Sequence, residues 1–172
     1  AIVQSDNAFT PLQLATYCAT IANNGTRLKT HLVKQVTNYN RDQVISETEP
    51  EVVAQVDISE ENLKTVQEAM KGVTQSGGTA NSVFGDYGIT IAAKTGTAEN
   101  PGHSDNVTFI AYAPYDDPEI AVAVVLEYGS RGTYSMNVAK DIFDAYFYGK
   151  TVDENGNLVM PEETNSSSTA NE

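Results

Sequence analysis

Ile89-Thr90-Ile91-Ala92-Ala93-Lys94-Thr95-Gly96-Thr97-Ala98-Glu99 is the stretch on which the reading of the fold turns. It opens with alternating β-branched and small residues, the composition of a short strand. It then sets a cation, two hydroxyls and a glycine at consecutive positions, Lys94 to Thr97. On a strand the side chains alternate, so Thr95 and Thr97 share one side while Lys94 takes the other or lies along the edge. Gly96 has no Cβ, which lets a second backbone approach closely. Two hydroxyls beside an ammonium suit a carboxylate, and open strand N–H groups suit an extended peptide or a developing oxyanion. The same tripeptide also fits a lysine on a solvated strand edge followed by a turn, so its meaning depends on its surroundings.

The 172 residues suffice for one domain with its own core. A formal net charge of −13 argues against a phosphate-backbone partner, which needs a basic face, and is read as a solubility feature. The single cysteine, Cys18, permits no internal disulfide, and with two histidines at no ligand spacing a structural zinc site is not expected. No apolar run reaches membrane-spanning length and no basic-then-apolar leader opens the chain. The start, Ala1-Ile2-Val3-Gln4, lacks an initiator methionine, so the chain is expected to be part of something longer.

Three helices are signalled on either side of that stretch. Over residues 9–25, Thr10 is the N-cap, Pro11 the first helical residue and Gln13 the third residue past the cap. Phe9 and Leu14 are placed to staple across that cap, and Asn24-Gly25 closes the helix. Leu14, Tyr17, Cys18 and Ile21 form its apolar stripe, which makes Cys18 a buried small hydrophobe rather than a nucleophile. Over 59–75, Ser59 caps a helix whose stripe is Leu63, Val66, Met70 and Val73, with Ile58 and Leu63 as staple. Ser76-Gly77-Gly78-Thr79-Ala80 breaks it as a loop. Residues 135–148 make the last helix, with Val138, Ile142, Ala145 and Tyr146 inward and Gly149 closing it.

Residues 31–57 read as extended, with turn chemistry at Asn38-Tyr39-Asn40-Arg41-Asp42. Val107 to Ala113 is a strand and Ile120 to Leu126 another, joined by a short turn and hence antiparallel. The continuous apolar run of the second implies burial on both faces and a central place in a helix-covered sheet. Residues 1–152 are therefore an α+β domain, an antiparallel β-sheet flanked by helices, and 153–172 a polar, disordered tail.

With the pieces in order, the chain resembles the C-terminal part of the transpeptidase domain of a class B penicillin-binding protein. The resemblance rests on Gln4-Ser5-Asp6-Asn7-Ala8-Phe9-Thr10-Pro11-Leu12-Gln13-Leu14-Ala15, Ile21-Ala22-Asn23-Asn24-Gly25, Gly78-Thr79-Ala80, Ala93-Lys94-Thr95-Gly96-Thr97-Ala98-Glu99 and Phe109-Ile110-Ala111-Tyr112-Ala113-Pro114. It implies the C-terminal portion of the fold shared with serine β-lactamases, and a D,D-transpeptidase that cross-links peptidoglycan stem peptides and is acylated by β-lactams, with no cofactor or metal. Under this likeness Lys94 places positive charge beside the cleft. The Thr95 and Thr97 hydroxyls hold the carboxylate of a D-Ala-D-Ala terminus or of the antibiotic. Gly96 lets the ligand backbone lie against the strand, and the Thr97 backbone N–H is one of two oxyanion donors. The likeness also implies action at the extracytoplasmic face of the bacterial membrane, through an anchor outside these residues.

The family's other two motifs, Ser-x-x-Lys and Ser-x-Asn, are not supplied in working form. No serine here has a lysine three residues on, and Thr26-Arg27-Leu28-Lys29 trails off a helix end, the wrong context for a nucleophile. Ser5-Asp6-Asn7 and Ser104-Asp105-Asn106 spell the second motif, but the first lies in the segment leading into the Thr10-Pro11 helix, where the resemblance implies no catalytic group, and the second follows the Lys-Thr-Gly strand, which the functional motif should precede. A serine–histidine–acid site from His103, Ser104 and Asp105 fails because adjacent loop residues do not readily face one another. These residues are thus expected to be inactive alone, to leave an apolar face or sheet edge for the upstream part of the domain, and otherwise to self-associate. A non-catalytic β-lactam sensor or interaction module of the same fold is the alternative.

Overall fold

Thr10 opens helix α1 (Pro11–Ala22) through a reciprocal capping box: Gln13 N donates to Thr10 Oγ1 at 3.2 Å and Thr10 N donates to Gln13 Oε1 at 2.8 Å. The computed structural model describes residues 8–153 and 156–161. After α1 the chain turns through Asn24 and Gly25, both at positive φ, into β1 (Thr26–Leu28). The extended region resolves into two small antiparallel ribbons. One pairs β1 with β4 (Val52–Gln55), and the other pairs β2 (Gln35–Thr37) with β3 (Val44–Glu47) around the Asn38–Asp42 turn.

Helix α2 (Glu60–Gly72) is capped by Ser59, which accepts from Asn62 N, and carries Glu60 and Glu61 at its positive end. A one-turn helix, α3 (Asn81–Phe84), follows the glycine loop and was not signalled in the sequence. The main sheet is β5 (Ala92–Ala98), β6 (Asn106–Ala113) and β7 (Ile120–Leu126), antiparallel in the order β5-β6-β7. Helix α4 (Gly132–Tyr148) ends at Gly149 in the left-handed conformation.

The sheet is sandwiched between two helical layers. On one face Phe109, Ala111, Val122 and Val124 meet Phe84 of α3 and Met136, Ala139 and Phe143 of α4. The Phe84 ring stacks on Phe109 at 5.5 Å between centroids and meets Phe143 edge-on at 6.2 Å. On the other face Ala92, Ile110 and Tyr112 meet Cys18 and Ile21 of α1 and Leu63 and Met70 of α2. Full burial of rings such as Phe109 and Phe143 contributes about 2–3 kcal/mol each. The α+β layout with an antiparallel sheet is the one the sequence predicts.

Several details differ from the sequence reading. The run Ile120–Leu126 was expected at the centre of the sheet, but β6 is central and β7 lies at an edge among the described residues. An apolar run records coverage of both strand faces, here by α1 and α4, and carries no information on a strand's lateral neighbours. The inward face of α4 was also misassigned. Val138, Ile142, Ala145 and Tyr146 are exposed, while Ser135, Met136, Ala139, Phe143 and Asp144 are buried. This helix carries two apolar rows at helical spacing, and the sheet takes the row with Met136, Ala139 and Phe143. On the other row Tyr134, Val138, Ile142 and Tyr146 recur every fourth residue and stay exposed.

Tyr17 and Val66, both expected inward, are exposed, and so is Phe9, the expected staple partner of Leu14. The Lys-Thr-Gly strand, β5, begins at Ala92 rather than Ile89, although Ile91 is buried. The last helix begins three residues earlier than expected, at Gly132. The tail expected from Asp153 falls mostly outside the described residues. Its described part returns Leu158–Val159 (β9) antiparallel to Thr151–Val152 (β8).

Candidate functional site

Strand β5 forms one edge of the main sheet among the described residues, and Lys94 to Thr97 lie in its middle. Period-two alternation puts Lys94 and Gly96 with Ala92 on the side of α1 and α2, and Thr95 and Thr97 with Ala93 on the side of α3 and α4. Lys94 and Thr97 are exposed, Thr95 is half-buried and Gly96 is buried. The Lys94 ammonium donates to the Thr95 carbonyl at 2.7 Å, which holds the charge along the strand edge. Thr95 pairs across the sheet with Phe109 and Thr97 with Val107, so both hydroxyls share a sheet face with fully buried neighbours on β6. A cation, two hydroxyls and an open strand edge on one rigid element can receive a carboxylate and an extended backbone together.

The approach to β5 is pinned from α2 and its loop. Buried Thr74 donates its hydroxyl to the Ile91 carbonyl at 2.7 Å. Asn81 Nδ2 donates to Thr74 O at 3.1 Å, and Ala80 N donates to Val73 O at 2.9 Å. Gly78 fits only because it has no side chain, since a Cβ there would sit 2.2 Å from Val73 O. The tightened loop sets Thr79 Oγ1 2.9 Å from Thr95 Oγ1. Sequence reading places Thr79 in the Ser76–Ala80 loop and in the Gly78-Thr79-Ala80 motif of the family resemblance, without a role at the site. The glycine pair just before it marks a sharp turn ahead of the site strand.

The other sequence candidates are engaged elsewhere. Asn106 heads β6, pairs with Ala98 and accepts from Tyr128 N at 2.9 Å, while the Asp105 carbonyl accepts from Ser130 N at 3.0 Å. The His103 ring lies against Tyr128, 5.2 Å between centroids. Ser104-Asp105-Asn106 therefore caps the far end of the sheet, and these contacts do not build a triad. Ser5-Asp6-Asn7 lies outside the described residues. Thr26 donates to Gln55 Oε1 at 2.8 Å and Lys29 pairs with Glu51 at 2.7 Å, which commits Thr26-Arg27-Leu28-Lys29 to the β1–β4 ribbon. Burial pushes the Cys18 thiol up to about 12, so it is no thiolate nucleophile.

A second polar cluster lies under the start of β5. Asp144 of α4 accepts from Tyr87 Oη at 2.8 Å, from Lys140 Nζ at 2.8 Å and from Lys150 Nζ at 3.3 Å. Burial raises the Asp144 carboxyl, but the hydrogen bonds from Lys140, Tyr87 and Lys150 outweigh it and hold the group below the usual carboxylate range. Burial, with the Asp144 charge and hydrogen bond, raises the Tyr87 phenol. Tyr87, Lys140, Asp144 and Tyr148 line an open depression of about 390 Å³, and a second of about 440 Å³ runs along 84–91. Neither is lined by Lys94, Thr95, Gly96 or Thr97. We regard this cluster as the clasp between α4 and the segment leading into β5. Among the described residues no group of three or more His, Cys, Asp or Glu could hold a metal ion, and no helix is long and apolar enough to cross a membrane.

The family model described as the penicillin binding protein transpeptidase domain matches residues 3–147. Penicillin-binding protein 2A of Bacillus subtilis is 37% identical over 166 residues, covering 86% of this chain and 23% of that protein. A peptidoglycan D,D-transpeptidase, PbpA of Mycolicibacterium smegmatis, is 38% identical over 136 residues, covering 75% of this chain and 26% of that protein. Among solved structures, penicillin-binding protein A from M. tuberculosis, as an imipenem acyl-enzyme complex, superposes with a TM-score of 0.70 at 30% identity, covering 83% of this chain and 32% of that one. The chain thus spans about a quarter of the length of these curated relatives. On the match over residues 3–147 and the shared α+β fold, the chain belongs to the penicillin-binding protein transpeptidase domain family.

Proposed function

We propose that these residues form one wall of the acyl-transfer cleft of a peptidoglycan D,D-transpeptidase. The observation that carries the reading is the position of Lys94-Thr95-Gly96-Thr97 on an accessible sheet edge within a member of this family. In the proposed reaction a serine oxygen attacks the carbonyl carbon of the penultimate D-alanine of a stem peptide. A C–O bond forms, the C–N bond to the terminal D-alanine breaks, and that residue leaves with the proton. An amine from a second stem peptide then takes the acyl group and releases the serine.

Each residue of the strand has a role in that scheme. Lys94 supplies positive charge beside the cleft, and the Thr95 and Thr97 hydroxyls donate to the terminal carboxylate of the substrate or of a β-lactam. Gly96 admits the ligand backbone, which lies along the edge as an added strand. The Thr97 N–H is one of two oxyanion donors, a contact worth about 3 kcal/mol in acyl transfer. The serine nucleophile and its lysine lie in an upstream part of the same domain, and a membrane anchor outside these residues places the protein at the extracytoplasmic face. Residues 1–172 alone are inactive. Susceptibility to β-lactams is supported by the acyl-enzyme that the M. tuberculosis relative forms with imipenem.

The test is labelling with a fluorescent penicillin followed by a denaturing gel. The full-length protein is expected to carry a covalent band and residues 1–172 alone to carry none. A band on the short polypeptide would refute the assignment of the nucleophile elsewhere. Failure of the full-length protein to label would favour the interaction-module alternative.

A further inference from the structure

We infer that Thr79 is a positioning residue for the ligand carboxylate, acting through Thr95; this rests on the functional reading above. The two hydroxyl oxygens are 2.9 Å apart, and either can be the donor. A hydroxyl has one proton to give and two lone pairs to accept with. If Thr95 gave its proton to Thr79, it would have none left for a carboxylate. When Thr79 donates, Thr95 keeps its proton for the ligand. The pair then forms a relay: Thr79 O–H to Thr95 Oγ1, and Thr95 O–H to the carboxylate. An anionic acceptor at the end of such a chain selects that direction and polarises each bond in turn.

The placement of Thr79 is built into the fold. Its loop is fixed by Ala80 N donating to Val73 O, by Asn81 Nδ2 donating to Thr74 O and by the Thr74 hydroxyl on Ile91 O. Gly77 takes a φ of +83° and Gly78 leaves no room for a Cβ, so the turn delivers Thr79 to one position. Thr79 is itself exposed, and a hydroxyl exchanged for a methyl there leaves the core untouched. Its partner is the hydroxyl of half-buried Thr95 on the site strand rather than solvent alone, which is the feature a surface threonine would lack.

The experiment uses the full-length protein and measures the second-order rate of acylation by benzylpenicillin and by its methyl ester, which lacks the carboxylate charge. Variants are Thr79→Val, Thr79→Ser, Thr95→Val and the Thr79→Val/Thr95→Val double. Loss of one hydrogen bond in the relay predicts that Thr79→Val slows acylation by the acid about three- to tenfold. It should change the ester rate by less than about twofold, because no anion is left to orient the relay. Thr79→Ser keeps the hydroxyl and is expected to restore the acid rate. In the Thr95→Val background the Thr79 change should add nothing. The acid-to-ester ratio is independent of how much protein folds. A Thr79→Val protein that matches wild type, loses acid and ester rates alike, or loses rate additively with Thr95→Val would overturn the proposal while leaving the functional reading intact. A wild-type protein that neither compound acylates would overturn both.

Discussion

Tyr87 Oη donates to Asp144 Oδ1 at 2.8 Å, joining the segment that feeds the site strand to the C-terminal helix across 57 residues of sequence. The carboxylate at the hub of this contact is buried and takes two further donors, Lys140 and Lys150. Removing it leaves a phenol and a half-exposed lysine without their acceptor. Asp144→Ala is expected to destabilise the protein by about 2–3 kcal/mol, and Tyr87→Phe by about 1 kcal/mol. Chemical denaturation of both variants and of the double variant checks this. The double should cost less than the sum, and strict additivity would show that the two groups do not act together.

The same clasp sets a pH dependence. The Asp144 carboxyl titrates below the usual carboxylate range in the folded protein. A group with a depressed folded pKa stabilises the fold above its unfolded value, near ~3.9, and that contribution is lost as pH falls through the folded value. The difference in thermal midpoint between wild type and Asp144→Asn is therefore expected to be full at neutral pH and to shrink below about pH 4. A difference that is the same on both sides of that range would contradict the ion-pair account.

Gly78 and Gly77 separate steric fit from backbone conformation. A Cβ at Gly78 would meet Val73 O at 2.2 Å and Gly72 O at 2.4 Å, both backbone atoms. Gly78→Ala must therefore displace the loop that carries Thr79, at a cost of about 1–3 kcal/mol. A Cβ at Gly77 meets nothing within 4 Å, so Gly77→Ala carries only the strain of its φ of +83°, about 1–2 kcal/mol. Acylation of the full-length protein should fall more for Gly78→Ala than for Gly77→Ala. Equal losses would mean that the position of Thr79 is not what the loop protects.

Tyr134, Val138, Ile142 and Tyr146 on α4 are exposed, and the outer edge of β7 has no neighbouring strand among the described residues. We propose that the upstream part of the domain covers them. Residues 1–172 produced alone should then self-associate, and Val138→Glu with Ile142→Glu should reduce it. Light scattering checks this, and a clean monomer of the unsubstituted polypeptide would count against the proposal.

The Lys-Thr-Gly stretch was legible as a strand because its signal is local. Lys94 to Thr97 are adjacent, and period-two alternation assigns their sides without knowledge of anything else. The caps at Thr10 and Ser59 were legible for the same reason, each being decided within four residues. The contacts that position the site were not. Thr79 and Thr95 are 16 residues apart, Thr74 and Ile91 17, and Tyr87 and Asp144 57, so nothing in local pattern links them. The face of α4 failed for a different reason: two apolar rows satisfy the same helical period, and which one packs is decided by the sheet. The order of β6 and β7 was hidden because side-chain patterns report on the faces of a strand and not on its edges.

The central claim is that Lys94-Thr95-Gly96-Thr97 receives the ligand. A crystal structure of the full-length protein acylated by benzylpenicillin tests it most directly. The penicillin carboxylate is expected within about 3 Å of the Thr95 and Thr97 hydroxyls, and the acyl oxygen at the same range from the Thr97 N–H. An adduct whose carboxylate and acyl oxygen both contact other elements, leaving this strand edge to solvent, would contradict the account.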